Sequence, residues 1–212
     1  MLNGGGFAQS PPNLGDLKLW LIAYKRFGAY DRDVAAVIAK ARKFVEKRAA
    51  QVKKPAIVLD IDETSLSNWP QMVANDFGYV PNGPCEALPA GPCGAHSWEL
   101  SARCEVIGPT LALFNVAKSN GVAVFFITGR PENERTATEE NLRKAGYDGW
   151  AGMTLRRAGD TVSVSSYKSS ARQAIAAQGF TIIANIGDQP SDLAGGYAER
   201  TFLVPDPFYR IP

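Results

Sequence analysis

The chain has 212 residues, 45% of them hydrophobic, which is enough for one well-buried core with an inserted subdomain. Its 23 basic and 21 acidic residues are evenly spread and leave a net charge of +2, which excludes an extended basic surface for nucleic acid or a membrane. No apolar run approaches the ~20 residues of a transmembrane helix, so the sequence predicts no transmembrane segment.

Residues 1–12 are rich in glycine and proline, and they lack both the charged start and the apolar stretch of an export signal. We therefore predict no signal peptide within the sequence as given. Residues 8–12 (Ala-Gln-Ser-Pro-Pro) nonetheless have a composition that suits the surroundings of a cleavage point, which hints at export.

Residues 14–50 are predicted to form an amino-terminal helical segment of two amphipathic helices. The first begins near Asp16 and ends at Gly28, and the second begins at Asp31 or Asp33, acids that suit the amino end of a helix. An apolar stripe along the second helix predicts packing against the core. It consists of Val34, Val37, Ile38, Ala41, Phe44 and Val45.

Four apolar residues, 56–59, lead directly into Asp60, which is typical of a buried parallel strand that delivers side chains to the carboxyl edge of its sheet. Residues two apart in an extended chain point the same way, so we expect Asp60 and Asp62 to share one side while Ile61 turns back. Carboxylates that close repel each other, so the arrangement requires a cation or a proton between them.

Residues 67–103 interrupt the regular pattern with turn-forming residues and little apolar periodicity. Loops of that length inside compact domains are usually functional. We therefore predict that this segment, called the insertion below, is a cap that stands over the strand ends.

Strands and helices alternate after the insertion, which predicts an α/β fold. We expect a single domain over residues 1–212. It is built on a Rossmann-like parallel sheet with helices on both faces, the amino-terminal helices and the cap after the first strand. The elements predicted in this region are helix 109–119, strand 122–127, helix 131–145, strand 153–155, helix 169–178, strand 181–186 and strand 201–204.

Polar side chains follow three of these strands: Asp60 with Asp62, then Thr128, then Asp188 with Asp192. Because parallel strands end at the same edge of a sheet, we expect these groups to converge on one acidic crevice. Carboxylate oxygens suit a hard divalent cation, and the protein ligands are too few for calcium. The sequence therefore predicts Mg²⁺ completed by water and a phosphate.

Thr128 and Lys168 are not explained by a metal alone and indicate phosphate. A hydroxyl at a strand end followed by Gly129, where backbone N–H groups are bare, is able to hold phosphate oxygens, and a lysine supplies the compensating charge. Lys168 is predicted to open its helix, where a cation is unfavourable unless an anion faces it. The alternative is an ordinary surface lysine.

Four stretches occur in order along the chain: residues 60–64 (Asp-Ile-Asp-Glu-Thr), residues 127–130 (Ile-Thr-Gly-Arg), Lys168 and residues 187–192 (Gly-Asp-Gln-Pro-Ser-Asp). They resemble the four motifs of the haloacid dehalogenase (HAD) superfamily. Residues 62–68 (Asp-Glu-Thr-Ser-Leu-Ser-Asn), 141–142 with 146–147, 187–189 and 204–209 (Val-Pro-Asp-Pro-Phe-Tyr) resemble, more narrowly, the exported acid phosphatases of its subfamily IIIB. That subfamily includes plant acid phosphatases, vegetative storage proteins and bacterial surface lipoprotein acid phosphatases. The resemblance extends from about residue 20 to residue 212 and is weakest across residues 77–103.

The resemblance implies an acid phosphatase that works through an aspartyl-phosphate. Asp60 would be the nucleophile, and Asp62 would protonate the leaving group, later deprotonate water and bind the metal through its carbonyl oxygen. Asp60 and Asp188 would bind Mg²⁺ through their side chains. Asp192 would bind the ion through water or steady Lys168.

Thr128, Gly129 and Lys168 would hold the transferring phosphoryl group. The expected partner is a small-molecule phosphomonoester rather than nucleic acid, a homodimer is left open, and the expected location is periplasmic or secreted. The expected supporting residues are Glu63, Gln189 and Arg130, the last of which is able to neutralise the acidic crevice.

Substrate choice is expected to lie in the cap, because the core groups would contact only phosphate and metal. Aromatic residues there are able to stack on a nucleobase or aryl group, or simply to pack the cap onto the core. We predict a preference for nucleoside or aryl monophosphates. The candidates are Trp69, Phe77, Tyr79, Trp98 and, after the last motif, Tyr197.

Other functions compete with this one. A signalling receiver domain also uses acids, a threonine and a lysine around a phosphoaspartate, but it is shorter and its phosphorylated aspartate ends a later strand. A catalytically silent storage or binding protein on the same fold is the stronger alternative, although the presence of Asp60 favours activity. Phosphohistidine chemistry has no carrier, because His96 lacks an Arg-His-Gly context, and no cysteine begins a Cys-x5-Arg loop.

Cys85, Cys93 and Cys104 all fall in the loop-rich region, where a covalent or metal staple is physically reasonable. With His96 they would make a Cys₃His zinc site; alternatively, one disulfide forms in any of three pairings and the third thiol stays free. Cys85 with Cys93 closes the shortest loop, but loop length decides little. The resemblance to exported phosphatases favours an oxidising compartment, so we predict one disulfide and no structural zinc.

Overall fold

The computed structural model describes residues 10–157 and 159–211, so Ala8 and Gln9 of the predicted cleavage stretch lie outside the described residues. Within these ranges no helix is long and apolar enough to cross a membrane. The strands, in chain order, are β1 (Pro55–Leu59), β2 (Leu66–Ser67), β3 (Glu105–Val106), β4 (Ala123–Pro131), β5 (Gly152–Arg156), β6 (Thr181–Gly187) and β7 (Arg200–Leu203). The helices are α1 (Leu14–Arg26), α2 (Ala29–Ala49), α3 (Trp69–Ala74), α4 (Ala95–Leu100), α5 (Gly108–Ser119), α6 (Arg135–Lys144), α7 (Val164–Ala177) and α8 (Pro190–Leu193).

Five strands form one parallel sheet in the order β5-β4-β1-β6-β7, which confirms the predicted α/β class. The first strand in sequence is thus the central one. In its register Leu59 lies beside Phe126 of β4 and Ile186 of β6. The residues that follow these three positions therefore meet at one edge of the sheet, as parallel strands require.

Both faces of β1 are buried, which explains its unbroken apolar sequence. Ile57 and Leu59 belong to the larger core cluster, which packs the sheet against α2 and α5. Ala56 and Val58 face the opposite way, into a second cluster with the apolar side of α7. Helices thus cover both faces, and an Ala substitution at Ile57 would cost ~2–5 kcal/mol of stability.

The amino-terminal helices are close to their predicted positions. Helix α2 begins at Ala29, two to four residues earlier than predicted, because Gly28 adopts the left-handed conformation (φ 72°) that breaks the chain direction between α1 and α2. The predicted stripe is largely buried in the core. Its buried members are Val34, Ile38, Ala41 and Val45, while Val37 and Phe44 are partly buried and pack against the cluster.

The insertion contains more regular structure than its sequence indicates. Strands β2 and β3 pair antiparallel at its base, with Leu66 opposite Val106, and helices α3 and α4 lie between them. Cys85 and Cys93 form a disulfide. Cys104 is free and buried. The prediction of one disulfide is confirmed, and the Cys₃His set cannot form because two of its thiols are bonded to each other.

Three predicted boundaries near the sheet edge are wrong, and one of them is the start of α6, which lies at Arg135 rather than residue 131. Helix α7 begins at Val164 rather than residue 169, because the Ser163 side chain accepts a hydrogen bond from Ser166 N and caps the helix early. Lys168 therefore lies in the second turn and does not open the helix. Strand β4 continues to Pro131 instead of ending at residue 127.

Candidate active site

Asp60 follows β1 and lies beside Lys168 of α7. The Lys168 Nζ donates to Asp60 Oδ1 and, at 2.6 Å, to Asp192 Oδ1. All three side chains are at least 90% buried. Burial raises the pKa of Asp60 to about 7, although the ammonium of Lys168 opposes this effect. Burial alone would lower the pKa of Lys168, but the two carboxylates hold it above its ordinary value.

Asp62 has a different cation. Its carboxylate accepts hydrogen bonds from Arg130 Nη2 at 2.6 Å and Arg130 Nε at 3.1 Å, and from Asn68 Nδ2 at 2.9 Å. Burial raises the pKa of Asp62, but the Arg130 guanidinium outweighs burial and holds the pKa below its usual value. The expected repulsion between Asp60 and Asp62 is thus relieved by two separate cations rather than by one shared between them.

Asp188 follows β6 and has hydrogen-bond donors, but none of the described residues forms an ion pair with it. Thr64 Oγ1 donates to its Oδ1 at 2.9 Å, and Gln189 Nε2 donates to its Oδ2 at 2.8 Å. Burial, together with the charges of Asp60 and Asp192, raises its pKa well above the ordinary value. The site therefore holds more negative charge than its ammonium group balances.

The residues at this edge fit a divalent cation. One carboxylate oxygen from each of Asp60, Asp188 and Asp192 lies within 4.8 Å of the others, and all three residues are buried. Buried carboxylates of this density need a cation or protons, and an all-oxygen set suits a hard ion such as Mg²⁺ or Mn²⁺. The Asp62 side chain is not part of this set, because Arg130 holds it.

The predicted phosphate-binding residues occupy different environments. Gly129 and Lys168 line the cavity at the sheet edge. Thr128 is fully buried, and its hydroxyl accepts a hydrogen bond from Arg130 N at 3.1 Å. An added Cβ on Gly129 would meet no atom within 4 Å, so this position leaves open space beside Asp60 and Asp62, which line the same cavity.

The cavity at this edge has a volume of about 550 Å³ and is bordered by both the sheet and the insertion. Phe77, Tyr79 and Trp98 belong to its wall. Two other aromatic candidates do not line it: Trp69 packs against Phe77 and Phe208, and Tyr197 is exposed elsewhere. Of the three in the wall, Tyr79 is the most open to solvent, with 77% of its surface exposed.

Asn68, Asp206 and Tyr209 contact residues of the site, although the sequence analysis assigns them no role in it. Asn68 donates to both Asp62 and Glu63, and Trp98 Nε1 donates to Asn68 Oδ1 at 2.9 Å. Burial and the charge of Asp62 raise the pKa of Glu63 to about 8. In the carboxyl-terminal contacts, Gln189 Nε2 donates to Asp206 and Tyr209 OH donates to Glu63. The sequence indicates these contacts only through the family resemblance of residues 204–209.

A family model described as HAD superfamily, subfamily IIIB (Acid phosphatase) matches residues 19–212. The chain belongs to this family. Acid phosphatase 1 of Solanum lycopersicum is 35% identical over 156 residues, which cover 73% of this chain and 58% of that protein. The Stem 28 kDa glycoprotein of Glycine max is 34% identical over 162 residues, covering 74% of this chain and 61% of its own length. The chain thus spans roughly 60% of the relatives it matches.

The fold has a counterpart among solved structures. The class C acid phosphatase from Bacillus anthracis with tungstate bound superposes with a TM-score of 0.72 at 22% identity, covering 92% of this chain and 86% of that chain. At that identity the likeness concerns the fold. Vegetative storage protein 1 of Arabidopsis thaliana is also similar, at 29% identity over 157 residues that cover 73% of this chain and 55% of that protein.

Proposed function

We propose that this chain is an acid phosphatase that hydrolyses small phosphomonoesters with the help of a divalent metal ion. The observation that carries the proposal is the position of Asp60 at the cavity wall. Its carboxylate contacts Lys168 and also belongs to the buried cluster with Asp188 and Asp192. A nucleophile, a cation for phosphate and a set of metal ligands are thus within reach of one phosphoryl group.

Asp60, Asp188 and Asp192 are the residues whose side chains would hold the ion, with Mg²⁺ as the expected metal. The backbone carbonyl of Asp62 is the further ligand implied by the family motif. When bound, the ion supplies positive charge that offsets the acidic cluster and the charge of the phosphate. Thr64 and Gln189 orient the Asp188 carboxylate through their hydrogen bonds.

In the first step an oxygen of Asp60 attacks phosphorus, and the bond between phosphorus and the leaving-group oxygen breaks. Lys168 and the backbone N–H groups around Gly129 hold the phosphoryl oxygens in place, because positioning and charge stabilisation are most of phosphoryl-transfer catalysis. Asp62 gives its proton to the departing alkoxide. The products of this step are an alcohol and an aspartyl-phosphate on Asp60.

In the second step water attacks the phosphorus of the aspartyl-phosphate, and Asp62 takes a proton from that water. The bond between phosphorus and Asp60 breaks, which releases inorganic phosphate and regenerates the carboxylate. Arg130 keeps the Asp62 carboxylate in a fixed orientation for both proton transfers, since its guanidinium donates hydrogen bonds to both carboxylate oxygens.

The insertion acts as a cap in this proposal. It supplies Phe77, Tyr79 and Trp98 to the cavity wall, while the groups that face phosphate come from the sheet edge. Trp98 is only 3% exposed and donates a hydrogen bond to Asn68, so it shapes the wall of the cavity. Tyr79 is exposed and is free to stack on a planar group of the substrate. We therefore propose nucleoside or aryl monophosphates as preferred substrates.

Export to an oxidising compartment is the proposed location. Cys85 and Cys93 form a disulfide. Disulfides persist in oxidising compartments and are uncommon in the cytosol. One relative is named a glycoprotein, the Stem 28 kDa glycoprotein of Glycine max.

The test is hydrolysis of an aryl phosphomonoester such as p-nitrophenyl phosphate at acidic pH, after EDTA treatment and after return of Mg²⁺. We expect turnover that EDTA abolishes and Mg²⁺ restores. Turnover that persists unchanged after metal removal would contradict the metal's role. Complete absence of turnover with every divalent ion would favour the second candidate, a silent storage protein, for which the similarity to Vegetative storage protein 1 is the supporting observation.

A further inference from the structure

A second cluster of side chains of the kinds that ligate metals lies where the insertion meets the parallel sheet and its helices. His96 and Glu99 belong to α4, and Glu134 ends the 3-10 turn Glu132–Glu134 that follows β4. One nitrogen or carboxylate oxygen from each of the three residues lies within 4.8 Å of the others. None of the three takes part in the proposed phosphatase chemistry.

The distances within this cluster are close to those of a metal site. His96 Nδ1 lies 2.7 Å from Glu134 Oε1 and 3.9 Å from Glu99 Oε2. Tetrahedral ligands with bonds of about 2.1 Å to zinc lie roughly 3.4 Å apart. An ion could therefore enter with shifts of under ~1 Å in each of these two separations, which side-chain torsions readily supply.

Glu134 gives an independent indication of a missing partner. It is only 2% exposed, and its Oε2 has no hydrogen-bond partner among the residues that the structure describes. The Glu99 carboxyl lies within hydrogen-bonding range of Glu134. Two ionised carboxylates are both acceptors, so they attract each other only through a proton or a cation.

We propose that His96, Glu99 and Glu134 bind a divalent transition metal, best fitted by Zn²⁺, at a site separate from the cluster of Asp60, Asp188 and Asp192. An imidazole nitrogen with two carboxylates suits Zn²⁺ better than Mg²⁺, which strongly prefers oxygen. Three protein ligands leave one position of a tetrahedron for water. This set differs from the cysteine-rich zinc site that the disulfide excludes.

The site has an entry path and a structural consequence. The His96 side chain is 42% exposed, so an ion can reach it from solvent. His96 and Glu99 also line the 550 Å³ cavity. An ion shared between α4 and Glu134 would tie the insertion to the sheet domain and fix the width of that cavity. The inference does not depend on the proposed phosphatase activity.

The experiment measures Zn²⁺ bound per chain by equilibrium dialysis of the full protein in millimolar Mg²⁺, which competes for the acidic cluster. We expect one Zn²⁺ per wild-type chain. His96→Gln and Glu134→Gln should each weaken Zn²⁺ binding by more than the ~10–100-fold typical of changes to an outer partner of a ligand. Asp188→Asn, and the exposed control Glu140→Gln, should retain the ion.

Thermal unfolding gives a second readout. Zn²⁺ should raise the unfolding temperature of the wild type and not that of His96→Gln, whose exposed position makes misfolding of the variant a minor concern. Three results would overturn the proposal: no bound Zn²⁺, binding that His96→Gln leaves unchanged, or binding that only Asp188→Asn removes. The first would mean that a proton alone joins the two carboxylates.

Discussion

Arg130 Nη2 lies 2.6 Å from Asp62 Oδ1, and the guanidinium grips both oxygens of that carboxylate. Arg130 is 3% exposed while the Asp62 side chain is 21% exposed, so removing Asp62 would leave the guanidinium as a costly buried charge. Burial raises the pKa of Asp62, but Arg130 outweighs burial and holds that pKa below its usual value. Asp62 is thus held ionised at neutral pH, although the proposed first step uses its proton.

A pH dependence follows from this ion pair. If the protonated Asp62 is needed, kcat/KM should fall as pH rises through the pKa of Asp62, whereas protonation of the nucleophile Asp60, whose pKa burial raises to about 7, should lower kcat/KM on the acid side. Arg130→Gln keeps hydrogen-bond donors but removes the charge. In this variant the pKa of Asp62 should rise, so the pH at which kcat/KM falls with rising pH should also become higher.

The measurement is kcat/KM against pH for the wild type and Arg130→Gln, with circular dichroism to verify the fold. Arg135→Gln is the matched control, since Arg135 pairs with the exposed Glu132 and not with the site. A limb that stays in place or moves to lower pH in Arg130→Gln would contradict the role of Asp62 as the acid.

The acid and metal roles should be separable by two Asn substitutions. Asp62→Asn should lower kcat by ~10²–10⁴-fold, most strongly for substrates with poor leaving groups, because only the proton transfer is lost. Asp188→Asn should instead raise the Mg²⁺ concentration needed for half-maximal activity. Activity against Mg²⁺ concentration is the measurement. The assignment fails if added Mg²⁺ rescues both variants equally.

The wall of the cavity should discriminate among substrates. A nucleoside monophosphate should be a better substrate than glycerol phosphate, because Tyr79 can stack on its base. Tyr79→Ala should raise KM for the nucleoside monophosphate ~5–150-fold, as expected for loss of ~1–3 kcal/mol of stacking, and leave glycerol phosphate unaffected. Tyr197→Ala is the control, since Tyr197 lies outside the wall. Equal turnover of both substrates by the wild type would count against this preference.

The free thiol of Cys104 should be inert in the native protein. The residue is 4% exposed, and burial raises its thiol pKa to about 12, so very little reactive thiolate exists at pH 8. Thiol titration should therefore find no reactive thiol in the native state and one after denaturation without reductant. Three thiols after denaturation would show that the Cys85–Cys93 disulfide is absent.

The strands and their ends were predictable because a buried parallel strand has a distinctive sequence. The apolar run 56–59 and the acids after it placed Asp60 correctly at the sheet edge, and the same reasoning placed Asp188 there. The sequence predicts too late a start for α7, because the capping residue Ser163 lies in a serine-rich stretch with little apolar periodicity. The structure therefore places Lys168 in an interior turn of α7, whereas the sequence predicts a position at the start of the helix.

Contacts across the fold were not predictable from one sequence. The pairing of Arg130 with Asp62 depends on the path of β4 beyond residue 127, where no sequence pattern predicts a longer strand. The cluster of His96, Glu99 and Glu134 joins α4 to a turn 35 or more residues away, and no local pattern marks such a meeting. Short helices in the insertion are equally hard to detect, because α3 and α4 have six residues each.

The central claim is that Asp60 is the nucleophile of a phosphomonoesterase, and the most direct test is the turnover of p-nitrophenyl phosphate by Asp60→Asn at saturating Mg²⁺. An amide cannot accept the phosphoryl group as a carboxylate does, so kcat should fall on the order of 10⁴-fold or more while the circular dichroism spectrum stays native. A cleanly folded Asp60→Asn variant that retains wild-type turnover would contradict the account.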